Sequence, residues 1–398
     1  MKEGWTYKKF KDICYSISDG DWIEKKDQSD SGIRLIQTGN IGVGVFIPKD
    51  ESQKFISEET FKRLRCTEIF EGDILISRLP NPLGRSCLLP KLKTKCITAV
   101  DCSILRIKDD IVSPQFFVYY TQSQGYFSKI NSESSGTTRA RITRKKLEET
   151  DIPIPDLNEQ QRIVSRLDSA FAHIDELKAN AEKQLSEARG LFQKALTKAM
   201  EPKEGWEEKP FGDVGTFSRG INLSKSDFIE DGFPCIHYGQ IHTRLGVVTH
   251  QHLTSIPPNL VRNDKLASKG DIIIAITSED VEGSCKCTAW LGDYDIAVGA
   301  HAAIYKHSLN PAYVSYYMKS AMFQKGKEPY VHGFKVMEIK PSDIAKIPIV
   351  FPSAEEQRRI VSRLDSLSAH VRELEEVTQK TIAECDALKQ ALLRKVFE

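Results

Sequence analysis

The sequence has no long apolar run. The longest candidates are "DIIIAI" (Asp271–Ile276) and "ITAVDCSIL" (Ile97–Leu105). Both fall well short of the roughly 18 residues of a membrane span and read as buried strands. The opening stretch "MKEGWTYKKF" carries neither the apolar core nor the cleavage site of a signal peptide. A cytoplasmic chain without a membrane role is expected. An excess of one charge is also missing. With 56 basic and 55 acidic residues, the formal charge of +1 does not by itself announce a nucleic-acid partner. Nine cysteines are scattered. Only Cys285 and Cys287 lie close together, without zinc-ligand spacing or a matching second pair. They read as reduced thiols that fill cores.

Catalytic motifs are lacking too. No G-x-x-x-x-G-K-[ST] phosphate loop is present, and "GNIGVG" (Gly39–Gly44), which has no lysine, reads as a hairpin turn. "NPLG" (Asn81–Gly84) lacks the second proline and the aromatic of the Asn-Pro-Pro-aromatic loop that stacks on a flipped base in amino-methyltransferases. His237, His242, His250 and His252 have no ordered carboxylate or cysteine partners, so they read as loop and surface residues. No carboxylate–lysine pair stands out as a nuclease site. A non-catalytic binding protein is expected.

What is present is written twice. "EQQRIVSRLD" (Glu159–Asp168) returns as "EQRRIVSRLD" (Glu356–Asp365), with nine of ten positions identical at an offset of 197. "KEGW" begins at Lys2 and at Lys203. "GIRLIQTGNI" (Gly32–Ile41) aligns with "GFPCIHYGQI" (Gly232–Ile241), and "EGDILIS" (Glu71–Ser77) with "KGDIIIA" (Lys269–Ala275). The offset drifts only between 197 and 201, so the chain is one unit of about 200 residues repeated. Each unit opens with a globular part rich in short β-type runs broken by Gly, Pro, Asn and Asp. A helix is expected near Pro114–Gly125 and near Pro311–Gln324. The expected fold is α+β, with domains at 1–152 and 201–350 and helical spacers at 153–200 and 351–398.

Asp156-x-x-Glu159 and Ser353-x-x-Glu356, each just after a proline, are capping boxes that start long helices. The first helix shows a stripe including Ile163, Leu167, Ile174, Leu177 and Leu191. The second shows Ile360, Leu364, Val371, Leu374 and Leu388. The spacing is that of a coiled-coil seam. Some 44 residues make a rod of roughly 66 Å, too long to bury its stripe alone. Antiparallel pairing of the two helices is expected, giving a pseudo-twofold object. The alternative is two helices, each packed on its own domain.

The copies agree in helices, caps and strand cores and differ at loop tips. After the frame "G-x-x-x-I" the first copy has Gln37, Thr38 and Asn40, and the second His237, Tyr238 and Gln240. These side chains can donate and accept at base edges; the alternative is ordinary polar turns. Charge divides unevenly. Residues 1–150 hold 25 basic and 20 acidic side chains, and residues 201–350 hold 16 and 18. The clearest basic patch, "SSGTTRARITRKK" (Ser134–Lys146), mixes glycine, small hydroxyls and cations, which suits phosphate contacts. A solvated charged loop is its alternative, and the matching "HGFKVMEIK" (His332–Lys340) is far less basic. The candidate DNA-binding residues are Gln37, Thr38, Asn40, Arg78, Arg85, Thr138, Arg139, Arg141, Arg144 and Lys145 in the first copy. In the second they are Arg219, His237, Tyr238, Gln240 and Lys335.

Two unlike globular domains, each followed by a proline, a capping box and "EQxRIVSRLD" at the head of a long helix, resemble the specificity subunit of type I restriction–modification systems. The resemblance covers the whole chain and is most specific at that helix start. It implies two target recognition domains that each read half of a split, asymmetric site in double-stranded DNA. It also implies helices that set the gap between the halves and dock two methyltransferase subunits, with restriction subunits joining for cleavage. S-adenosylmethionine, magnesium and ATP would then belong to partner subunits, with no cofactor or metal in this chain. Two alternatives stay open: the specificity subunit of a fused cleavage–methylation restriction enzyme, and a coiled-coil adaptor that does not bind DNA.

Overall fold

The computed structural model describes residues 4–134 and 140–398. It divides into two units. One comprises the chain up to Ala181 together with Thr378–Glu398; the other is Glu182–Val377.

In the first unit an antiparallel sheet of four strands runs in the order Cys14–Asp19, Cys102–Ile107, Ile74–Ser77, Ser86–Leu88. The strand Ile74–Ser77 is buried along its whole length, which explains why "ILIS" does not alternate with polar residues. Ile74 and Ile76 face a core with Phe116, Phe117 and Tyr126 from the helices Pro114–Tyr120 and Gln124–Ser132. Leu75 faces the other way, into a core with Ile36, Cys87 and Ile104. That second core is shared with a five-stranded sheet that contains Ile33–Ile36 beside Cys96–Thr98. A two-stranded ladder, Thr6–Lys9 against Asp151–Ile154, closes the domain just before the long helix Leu157–Met200.

The second unit repeats the plan. Ile272 and Ile274 face the core of Phe211, Tyr313 and Tyr317, while Ile273 and Ala275 face Ile236, Trp290 and Val298. The ladder Glu207–Pro210 against Pro348–Phe351 precedes the helix Ala354–Phe397. All nine cysteines are free and buried. Burial pushes the thiols of Cys87 and Cys102 up to about 12, so they are inert packing groups. Among the described residues no helix is long and apolar enough to cross a membrane.

Both long helices start where the capping signal predicts, with the N-cap half of each box made. Asp156 Oδ1 accepts the Glu159 amide at 2.9 Å, and Ser353 Oγ accepts that of Glu356 at 3.4 Å. Glu159 and Glu356 themselves turn to Arg162 and Arg359. Each helix first packs on its own domain. Ile163, Leu167 and Phe171 lie in the core of Phe116, and Ile360 and Leu364 in the core of Tyr313. Each domain also receives the end of the other helix: Leu393 enters the first core, and Leu196 and Met200 the second. In the first unit Asp175 pairs with Lys389 at 2.5 Å and Lys178 with Asp386 at 3.2 Å, while Thr378 donates to the Ala181 carbonyl. One helix ascends as the other descends, so the pairing there is antiparallel. The stripe is thus shared between a domain and a partner helix, so the two packing alternatives are both partly realised.

The seam has the expected period but, in part, another phase. Ile163, Leu167, Ile174, Ile360 and Leu364 are buried, and Val371 and Leu374 are half-buried. Leu177, Leu191 and Leu388 are not seam residues; they are 58%, 66% and 49% exposed. Their places are taken by the next residue in each case, Lys178, Phe192 and Lys389. In the first unit Phe171 packs against this phase. The Lys389 ammonium lies 4.9 Å from its ring centroid, its stem covering apolar surface while its charge meets Asp175.

Candidate nucleic-acid interface

The stretch after the frame "G-x-x-x-I" turns in both copies, as Thr38–Asn40 and as Tyr238–Thr243, and each turn consumes its own third polar residue. Asn40 Oδ1 accepts the Gln37 amide at 2.9 Å, and Asn40 Nδ2 donates to the Ile47 carbonyl at 2.9 Å. Gln240 Oε1 accepts the His237 amide at 3.2 Å, and Gln240 Nε2 donates to the Thr254 hydroxyl at 3.2 Å. Both side chains are buried. Asn40 and Gln240 are therefore corrected from base readers to turn anchors: a buried amide with all its partners inside has none left for a base edge. The same turns leave Gln37, Thr38 and His237 half-buried and Tyr238 exposed. Burial and the nearby Arg244 hold the His237 imidazole below the usual histidine range.

Two arginines are corrected in the same way. Arg85 is buried and donates to the carbonyls of Ile41, Thr38, Leu79, Pro80 and Pro82. It ties the turn at Thr38 to the "LPNPLG" loop instead of facing solvent. Arg78 is buried as well, donates to the Val100 carbonyl and lies 3.4 Å from Asp19. Burial lowers the pKa of both guanidinium groups, because the charged form loses hydration.

In the basic segment Thr138 and Arg139 lie outside the described residues. Arg141 is exposed and pairs with Asp101 at 2.9 Å; Arg144 is exposed and pairs with Glu148 at 3.2 Å. Lys145 is exposed in the short helix Arg144–Glu148. In the second copy Arg219 donates to the Ala300 carbonyl at 2.8 Å and pairs with Glu338 at 2.9 Å. Lys335 stands on an exposed hairpin tip. Strand register makes Asp19 the counterpart of Arg219. The amides of Ile142 and Ile339, bonded to the carbonyls of Arg78 and Ile276, make Arg141 the counterpart of Glu338. One structural place thus carries Asp19 and Arg141 in one copy and the opposite signs in the other.

Sequence reasoning missed two clefts. One, of about 280 Å³, gathers Arg34, Lys49, Lys54 and Gln53 around Gln37 and Thr38. Its lysines come from a loop that no motif marks. The other, of about 740 Å³, has Tyr238, His242 and His301 on one side and Ser278, Glu282 and Lys286 on the other. Its signal was present in the offset: residues 277–285 stand where residues 79–84 do in the first copy, three residues more. Lys286 takes the position of Arg85 but is exposed, because the longer loop no longer wraps it.

A further pair of surfaces lies on the helix starts. The buried letters of "EQxRIVSRLD" are explained by folding. Gln160 accepts the Ser113 amide at 2.8 Å and donates to the Pro155 carbonyl at 2.9 Å; Gln357 does the same with Asn310 and Pro352 at 2.8 and 2.9 Å. The exposed letters are not explained that way. Arg162, Ser165 and Arg166 border a shallow hollow, and Arg359, Ser362 and Arg363 repeat them in the second copy, exposed likewise.

A family model described as the type I restriction modification DNA specificity domain matches residues 2–187 and again 203–384. The type I restriction enzyme EcoKI specificity subunit of Escherichia coli (strain K12) is 25% identical over 436 aligned positions, covering 100% of this chain and 89% of its own length. The EcoBI specificity subunit of Escherichia coli is 26% identical over 333 positions, covering 74% and 67%. The HsdS subunit from Thermoanaerobacter tengcongensis superposes with a TM-score of 0.54 at 20% identity over 100% of this chain and 97% of its own. A chain from the structure described as "Structural basis underlying complex assembly and conformational transition of the type I R-M system" reaches 0.76 at 20% identity, over 100% and 98%. At these identities the structures speak for the fold; the double family match speaks for descent, and the chain belongs to the family of type I restriction–modification DNA specificity domains, a domain it carries twice.

Proposed function

We propose that this chain is the DNA-sequence specificity subunit of a type I restriction–modification complex. Each globular domain reads one half of a split site in double-stranded DNA, and the helices dock two methyltransferase subunits, with restriction subunits joining for cleavage. The observation that carries this reading is the contrast between the copies. Exposed Arg162, Ser165 and Arg166 recur unchanged as Arg359, Ser362 and Arg363, which suits two identical protein partners. The accessible turn residues differ, half-buried Gln37 and Thr38 against half-buried His237 and exposed Tyr238, which suits two unlike half-sites. The DNA contacts proposed in the first domain are Gln37, Thr38, Thr138, Arg139, Arg141, Arg144 and Lys145; in the second they are Arg219, His237, Tyr238 and Lys335. The chain itself performs no chemistry in this reading. Methyl donor, metal and nucleotide sites belong to its partners.

The test is methylome sequencing of a host expressing the chain with its methyltransferase. The expected result is one motif of two unlike halves separated by unspecified bases. A palindromic or unsplit motif, or no motif, would rule the reading out.

A further inference from the structure

Residues 332–338 form a tight hairpin in which His332 pairs with Glu338 and Gly333 with Met337. A three-residue tip remains: Phe334, Lys335 and Val336. Such tips normally carry Gly, Asn or Asp, which accept the required backbone and like water. Here Phe334 is 93% exposed and Val336 is exposed beside it. The hairpin is held firmly. Its second strand also pairs with Thr277–Ser278, and Glu338 is tied to Arg219. Gly333 sits at φ +145°, where an added Cβ would lie 2.0 Å from the Val336 carbonyl oxygen, so only glycine closes this turn. A braced turn thus presents an aromatic ring and a cation to solvent, at the rim of the cleft that Val336 shares with Tyr238 and His301.

The place in the fold says what meets the ring. In the sequence the stretch ahead of Ile142, matching the hairpin ahead of Ile339, is the basic "SSGTTRAR", and its Arg141, next to Ile142, is an exposed cation. In sequence, then, one copy carries cations suited to phosphates in this stretch, and the other an aromatic flanked by Lys335. These are the two ways of holding a duplex, by its backbone and by its stacked bases. Resting on the DNA-reading function above, we propose that Phe334 is a wedge that enters a base step in the second half-site, with Lys335 on an adjoining phosphate. A wedge favours steps that unstack readily, so the second half-site should place a pyrimidine–purine step, TA or CA/TG, under the hairpin. It also supplies binding that does not depend on net charge, in the domain whose acidic residues outnumber its basic ones.

The experiment uses the full chain assembled with its methyltransferase subunits and a duplex of the motif that the wild-type complex methylates. 2-Aminopurine is placed in turn at each position of the second half-site. Wild type should change the probe's fluorescence at one step. Phe334→Ala should abolish that change and raise Kd about tenfold to a hundredfold, the range of one lost stacking contact. Its thermal melt and its retention of methyltransferase should not change, since the ring is exposed. Phe334→Trp should restore both signals. The wedge is overturned if wild type alters the probe at no position, or if Phe334→Ala binds the duplex as wild type does. It is equally overturned if Phe334→Ala loses the methyltransferase in the absence of DNA, which would place the hairpin on a protein. Failure of the DNA-reading function itself looks different: the wild-type complex then yields no split motif.

Discussion

The phenol of Tyr316 donates to a carboxylate oxygen of Asp365 at 2.7 Å, joining the helix Pro311–Met318 to the second turn-pair of the long helix Ala354–Phe397. Tyr119 and Asp168 make the same bond in the first unit. Together with the Gln160 and Gln357 bridges, this explains why the start of each helix is nearly invariant between the copies. The motif's buried or paired letters fix the angle at which the helix leaves its domain. Removing a hydrogen bond to a charged group costs about 1.5–3 kcal/mol. Tyr316→Phe should therefore lower the urea midpoint of the second unit, and Asp365→Asn on its own should lower it less, because its amide oxygen still accepts from the phenol. An unchanged midpoint in Tyr316→Phe would make the bond ornamental.

His307 gives the second unit a pH response that the first lacks, since Ile107 occupies the matching place. Burial depresses its imidazole to about 4, and the Leu309 amide donates to Nδ1. An unfolded histidine titrates near 6.5. Between these values the unfolded chain holds more protons, so stability is full above about pH 6.5 and falls as pH drops towards 4. The loss from this one group approaches ~3 kcal/mol at pH 4. His307→Asn keeps an acceptor for the Leu309 amide without the titration. The difference in unfolding free energy between variant and wild type should grow in the variant's favour from pH 7 to pH 4. Parallel pH curves would contradict this.

The sequence showed the repeat, the two-part units and the helix starts because those signals are local: identical strings, caps and prolines. The functional surface was less legible. Asn40 and Gln240 have base-reading chemistry, but their partners, Ile47 and Thr254, lie seven and fourteen residues away across a turn. Arg85 looks like a free loop cation until the carbonyls of Thr38 and Ile41 close over it. Nothing in composition distinguishes a guanidinium that binds phosphate from one that organises a loop.

That distinction is measurable through salt. Arg144 and Lys145 are exposed cations on the proposed phosphate-binding stretch, and each phosphate contact contributes about 0.9 to the slope of log K against log salt. The double substitution Arg144→Ala and Lys145→Ala should lower the slope by up to about 1.8. Arg85→Ala should weaken binding while leaving the slope unchanged, because it removes a loop's support and no phosphate contact. A slope that falls with Arg85→Ala would return that residue to the DNA surface.

The phase of the seam supplies the last prediction. A 4-3 pattern can be continued from Ile174 through Leu177 or through Lys178, and hydrophobicity alone favours leucine. The structure takes lysine, because Lys178 and Lys389 can lay their stems along the seam and still reach Asp386 and Asp175. Phe171, meanwhile, fills the space between Tyr119, 5.3 Å away centroid to centroid, and Lys389. Leu177→Gln and Leu191→Gln should each change stability by no more than about 0.5 kcal/mol, as exposed positions do. Phe171→Ala, at a buried ring, should cost about 3–5 kcal/mol. Urea unfolding of the three variants separates the two phases. Strong destabilisation by the leucine substitutions, with tolerance at Phe171, would mean that the helices meet along the leucine stripe instead.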